Sequence, residues 1–254
     1  MPVEKIVKQT SNLTAEAFIE KLWRYQSDEE LVKIKRYFKN EDGDYAAEDQ
    51  FMGIRMGQVF EVAKAFINLP IEEIEILLKN RIHEVRVGAV SIMDFQARDK
   101  KTAENRKKAL FDLYLKNHQF INNWDLVDRS APHVIGAYLI GKDRTVLYQL
   151  ALSDNIWERR TAIVSTAYFI KNKQLEDTFK IAEILVNDPQ DLIQKAVGGW
   201  IREAGKRNKN TLISFPNKHA ATMPRVMLRY AIEHFDSGER AYYLGLKNEG
   251  KAIL

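Results

Sequence analysis

Apolar residues recur every three or four positions along nearly the whole chain and almost never alternate strictly with polar ones, a period that marks helices and not strands. Thr14 is placed to cap a helix running through Trp23. Ser27-Asp28-Glu29-Glu30 reads as a capping box opening a second helix, from Leu31 to Lys39. Residues 40–50 are polar and turn-rich and predict a loop after these N-terminal helices of about 14–39. Beyond Phe51–Arg55, Gly57 leads into an amphipathic stretch ending near Asn68. Pro70 then suits the first position of a helix whose Glu72, Glu73 and Glu75 favour its positive end. The twelve glycines rarely fall in hairpin pairs. The pattern predicts an all-α chain.

The helices also repeat. Arg86-Val87-Gly88-Ala89-Val90-Ser91-Ile92, Arg160-Thr161-Ala162-Ile163-Val164-Ser165-Thr166 and Lys195-Ala196-Val197-Gly198-Gly199-Trp200-Ile201 share one layout, a cation followed by small or β-branched residues. Their spacing is about 35 residues or twice that, and a missing copy would fall near residue 125. Arg225-Val226-Met227-Leu228 is a further echo. Such periods imply a superhelical solenoid of HEAT-like or armadillo-like helical repeats, with all 254 residues in a single domain. Small residues in the repeated helices would let neighbours approach closely, and the second helix of each pair would line a concave surface.

Composition narrows the chemistry. With 45% apolar and 29% charged residues the chain is of the soluble globular kind. The absence of cysteine excludes disulfides, thiolate catalysis and cysteine-built zinc sites. Five histidines show no metal-ligand spacing and read as structural or surface residues, so no metal is expected. A Gly-rich phosphate loop, a nucleophile elbow and a dinucleotide fingerprint are all missing. The N-terminus lacks the apolar core of a signal peptide, and the apolar run from Val134 to Gly141 is too short to span a bilayer, so the expected setting is the cytoplasm with no membrane partner. The net charge of +4 is uneven, acidic over residues 1–80 and basic from Lys195 onward, which suggests a polyanionic partner for the C-terminal part.

One stretch carries candidate chemistry. In Trp124-Asp125-Leu126-Val127-Asp128 a helix start places Trp124 and Asp128 on one face. Asp125 fits a simple partner of the helix dipole, and Asp128, about a turn in, admits that reading as well as a catalytic one. Arg160, Lys195, Arg202, Lys206 and Arg207 offer cations, the last three as a stripe along one helix edge, although solvated faces carry such residues too. Trp157 and Trp200 read first as core aromatics and become stacking surfaces only in a basic, concave setting.

Together these segments resemble the AlkD-type DNA alkylpurine glycosylases. Trp124–Asp128, Ser153-Asp154-Asn155-Ile156-Trp157-Glu158-Arg159-Arg160, Gln194–Glu203, and Met223-Pro224-Arg225 with Leu228-Arg229-Tyr230-Ala231-Ile232 occur in the family's order, and the resemblance runs from about Leu31 to Tyr243. It implies repeats holding duplex DNA and removal of cationic alkylated purines such as 3-methyladenine and 7-methylguanine, by a monomer that acts at the nucleoid and needs no cofactor. It implies that Asp128 is the catalytic aspartate and Trp124 its partner, that Arg160 and Arg202 hold DNA near the lesion, and that Tyr37 touches the opposite strand. Arg55, Lys195 and Lys206 extend the expected DNA contact. Two positions depart from the pattern. Arg55 stands where a glutamine follows the family's Gly-Ile pair. Gly199 occupies the place of a second tryptophan, with Trp200 one residue later and turned by about 100 degrees. Trp157, Gly199 and Trp200 are the expected lesion-contacting set.

A single carboxylate suits this chemistry. Ordinary glycoside hydrolysis uses an acid for the leaving group and a second carboxylate for the sugar. A purine alkylated on a ring nitrogen already carries positive charge and leaves without protonation. Stabilising an oxocarbenium-like sugar and orienting water remain to be done. Two rival readings stay open on the residues alone, a HEAT-type protein-binding scaffold and a DNA-binding relative that does not excise.

Overall fold

The computed structural model describes residues 13–37 and 49–246, except the side chains of residues 35 and 37. Among the described residues the regular elements are fourteen α-helices with short 3-10 and π segments, and no strand occurs. Gln50 and Ile82 form one isolated parallel bridge. The described residues divide into two compact units, separated in the chain between Ser130 and Ala131. Most of the loop expected at residues 40–50 lies outside the described residues.

In the first unit, α1 (Ala15–Trp23) begins where Thr14 predicts, its hydroxyl accepting the Ala17 N–H at 3.2 Å. The Ser27 hydroxyl likewise accepts the Glu30 N–H at 3.3 Å and starts α2 (Asp28–Tyr37) a turn earlier than the apolar pattern suggests. There follow α3 (Met56–Ala65), α4 (Ile71–Leu78), α5 (His83–Arg98), α6 (Glu104–Lys116) and α7 (Trp124–Ser130). The unit is built on α5, against which α3, α4, α6 and α7 all pack. Thirteen of its sixteen residues are buried, so it has no polar face for a 3.6-residue period to reveal.

Burying α5 obliges its charges to find partners. The Glu84 carboxylate, fully buried, accepts the backbone N–H groups of Met52, Gly53 and Ile54 at 2.9–3.3 Å. It thereby fixes the segment leading to Arg55, in which Gly53 has φ +80 and no room for a Cβ: one would stand 2.3 Å from the Ser27 carbonyl oxygen. Asp94 pairs with Arg98 at 2.9 Å and Arg129 at 3.4 Å. Arg86 donates to Asp49 at 2.5 Å and to the carbonyls of Asn80 and Arg81. The repeated cation is therefore an internal tie at this copy, not part of an exposed basic surface.

The second unit opens with a π-helical turn (Ala131–Ala137), followed by α8 (Thr145–Ala151), α9 (Ile156–Lys171), α10 (Glu176–Ile184), α11 (Asp191–Gly205), α12 (Lys209–His219), α13 (Arg225–Ala231) and α14 (Ser237–Gly245). Helices pair in sequence, α8 with α9, α10 with α11, and the second members α9, α11 and α13 pack side by side. Their starts agree with the spacing read from Arg160, Lys195 and Arg225. Gly198 shows why small residues recur there, since a Cβ at this position would lie 2.5 Å from the Met227 carbonyl oxygen of α13. Helix α11 ends at Gly205 with Lys206 as its C-cap, so Lys206 and Arg207 leave the helix instead of continuing a stripe along it.

Candidate functional site

Helix α7 runs without a break into the π-helical residues Ala131–Ala137, and contacts from other elements fix its first turn. Trp124 is half-buried and Asp128, four positions on, is exposed. Trp124 and Asp125 border a cavity of about 690 Å³ whose apolar wall includes Ile34, Ile54, Met56, Phe60 and Val87. Two arginines join it. Arg129 is held by the Ser91 hydroxyl at 3.1 Å and lies over the rings of Phe60 and Phe95, 4.5 and 4.8 Å from their centroids. Burial lowers its basicity, and the neighbouring Asp94 charge opposes that effect. Arg55 is exposed and donates to Glu30 at 2.8 Å. Hydrogen bonds from Arg55 and Lys33 pull the Glu30 carboxyl down to about 2.

Behind α7 lies a chain of buried charges. The Nε2 of His83 meets an Asp125 carboxylate oxygen at 2.7 Å, and its Nδ1 meets Asp49 at 3.2 Å. Arg86 contacts the other Asp49 oxygen. Burial disfavours a charged imidazole, but the Asp125 charge, its hydrogen bond and that of Asp49 outweigh it and raise His83 from 6.5 to about 9. The ring is therefore an imidazolium at neutral pH. A raised pKa in the folded state gives stability that is fully present below 6.5 and lost as pH rises through about 9. Thermal melts of the wild-type protein should accordingly fall in Tm between pH 7 and 10, and the fall should be smaller in His83→Gln. Parallel Tm curves for the two proteins would dismiss the imidazolium as the cause.

In the second unit, Arg160, Lys195, Gly199, Trp200 and Arg202 border one cavity of about 490 Å³ together with Ala196, Glu203 and Tyr230. Gly199 faces open space, with nothing within 4 Å of a Cβ built there, and Trp200 is partly exposed beside it. Arg160 is only 9% exposed and donates to the Leu192 carbonyl at 2.9 Å, which makes it partly a structural tie. Lys195 pairs with Asp191 at 2.8 Å and Lys206 with Glu203 at 2.7 Å. Arg202 pairs with Glu233 and, at 3.4 Å, with Glu203. Burial works against the Glu203 charge, yet Lys206 and Arg202 hold its carboxyl below the usual range. Trp157 does not border this cavity and is buried in the core at 7% exposure. The side chain of Tyr37 lies outside the described residues.

The sequence did not mark Arg129, Phe60 or Tyr230 as site-lining, nor His83 as a partner of Asp125. Their contacts bridge segments far apart in the chain, and no local motif signals them. Among the described residues no helix is long and apolar enough to cross a membrane, and no cluster of His, Cys, Asp or Glu could hold a metal ion.

An all-α helical-repeat protein is what these helices define. The sequence pattern of the DNA alkylation repair enzyme family matches residues 18–235, most of the chain, and the protein belongs to that family. Its role is accordingly in the repair of alkylated DNA. Among solved structures, one described as a predicted DNA alkylation repair enzyme from Enterococcus faecalis superposes with a TM-score of 0.66 at 16% sequence identity, covering 84% of this chain and 97% of that one. At such identity the likeness establishes the fold alone. No curated protein matches the chain.

Proposed function

We propose that the protein is a monofunctional DNA glycosylase that hydrolyses the N-glycosidic bond of cationic alkylated purines, 3-methyladenine and 7-methylguanine among them. The observation that carries this reading is the exposed Asp128 carboxylate one helical turn from the half-buried Trp124 indole, on a helix fixed from behind. Asp128 stabilises the positive charge that develops on the sugar and orients the attacking water. The Trp124 face adds cation–π attraction of about 0.5–2 kcal/mol to the same charge. Membership of an alkylation repair family supports the substrate class. Release of 7-methylguanine from methylated duplex DNA is the direct test, and binding without release would favour a DNA-binding relative over an enzyme.

Selectivity in this reading comes from leaving-group charge. The cationic purines should be excised, bulkier cationic adducts at the same ring nitrogens included, whereas hypoxanthine and uracil, which are neutral, should remain. Release of hypoxanthine at a comparable rate would overturn the charge argument.

The cations of the second unit serve in this reading as phosphate contacts. Arg202→Ala should weaken damaged and undamaged duplex alike and make the slope of log affinity against log salt shallower by roughly one. Because Glu233 holds the Arg202 guanidinium, Glu233→Gln should tighten binding instead. An unchanged salt slope in Arg202→Ala would show that this cation makes no phosphate contact.

A further inference from the structure

We propose that His83 is a positioning residue for Trp124: by bridging Asp49 and Asp125 it fixes the peptide on both sides of the indole and so sets where Trp124 and Asp128 stand. The role rests on the glycosylase reading for its consequence in activity, but its geometry stands by itself. The two residues flanking Trp124 both reach the same buried pair. Asp125 meets the His83 Nε2 at 2.7 Å, and Asn123 donates from its Nδ2 to Asp49 at 3.4 Å. Each flank also holds backbone: the Trp124 N–H donates to the Asn123 side-chain oxygen at 2.8 Å, and the Leu126 N–H to an Asp125 oxygen at 2.9 Å. His83 and Asn123 are fully buried, the Asp49 side chain is 3% exposed and that of Asp125 15%, so water competes little for these contacts.

The physical need is plain. The first turn of a helix frays without such anchors, and an indole that stacks on a developing charge acts only from one orientation. Facing the imidazole are Asp125 from α7, Asp49 and the Phe51 ring, 5.2 Å away between centroids, with the Arg86 charge of α5 nearby on Asp49, among others. Glu84, next on α5, points instead to the N–H groups of Met52, Gly53 and Ile54. Loss of the His83 proton leaves Asp125 and Asp49 with one positive partner fewer, and the clamp on both flanks loosens. Asp125, one position after the indole, is thus a link in this clamp and more than a partner of the helix dipole.

The test follows the Trp124 indole N–H resonance by NMR and single-turnover release of 7-methylguanine together, between pH 6.5 and 10.5, in the wild type, His83→Gln and Asp125→Asn. In the wild type the resonance should move and the rate fall with a shared midpoint near 9. Asp125→Asn removes the charge that favours the imidazolium, so the midpoint should drop by a unit or more. His83→Gln keeps a donor but no titrating charge, so the transition should vanish and release at pH 7.5 should slow at least tenfold, with duplex affinity unchanged. An indole resonance that titrates identically in Asp125→Asn, or that is silent in the wild type, overturns the inference. Should His83→Gln fail to fold, the shift in Asp125→Asn decides the matter. Should the wild type release no base while the indole titrates as stated, the glycosylase reading falls and the positioning role stands.

Discussion

Replacing Asp128 with asparagine should slow release of 7-methylguanine from duplex DNA by about a thousandfold and leave duplex affinity nearly intact. The change keeps the shape and removes the charge. A cationic purine departs as a neutral base and leaves its positive charge on the sugar, so the barrier depends on what faces that sugar as the bond breaks. Removing a single preorganised electrostatic partner of a transition state costs on the order of 10²–10³ in rate. Asp128 sits toward the upper end of that range because the neighbouring Trp124 contributes only cation–π attraction and no second carboxylate is assigned to the sugar. Asp128 is exposed, so asparagine there should not disturb the fold. Near-normal release by the mutant would remove Asp128 from the mechanism, whereas equal losses of binding and release would indicate a role in holding DNA.

A second large effect is expected one residue away from a negligible one. Gly198→Ala should lower stability by about 3 kcal/mol, the upper end of what overpacking costs. Its Cβ would stand 2.5 Å from the Met227 carbonyl oxygen and 2.6 Å from the Tyr230 Cβ, so α11 and α13 must separate to admit it. For a chain of this size that loss corresponds to a drop in Tm of roughly 10 °C. Gly199→Ala meets nothing within 4 Å and replaces glycine inside a helix, where alanine is favoured by about 0.5–1 kcal/mol. Its Tm should hold or rise. Equal melting temperatures for the two variants would mean that α11 and α13 do not approach as closely as described.

Much of the fold was legible in the sequence because helix formation is local. Thr14 and Ser27 cap through hydrogen bonds to N–H groups three residues on, and such spacing is visible in any window of the chain. The repeat was legible because these helices need small residues where another element presses close, the Phe18 ring of α1 at Gly88 and α13 at Gly198, which stamps a similar short pattern at both. The resemblance that named the family drew on several such segments in order. The environment of Asp128 and the pairing of the cations were not legible, since nothing in a segment states which charges another segment will meet.

What the sequence by itself determined was the helical class, the caps of the first helices, the repeating second helices and the membership of an alkylation repair family. What only the tertiary structure decided was which way the charged residues face. Arg86 and Arg160 look alike in the repeat, and both turn inward to carbonyl oxygens of neighbouring segments, while Lys195 at the same position pairs with Asp191 on the surface of its own helix. His83 reads as an ordinary histidine until Asp49 and Asp125, 34 and 42 residues distant, close on its two nitrogens. The reason is physical: apolar period and capping act between neighbours along the chain, whereas the sign and partner of a buried charge are set by whatever packing brings against it.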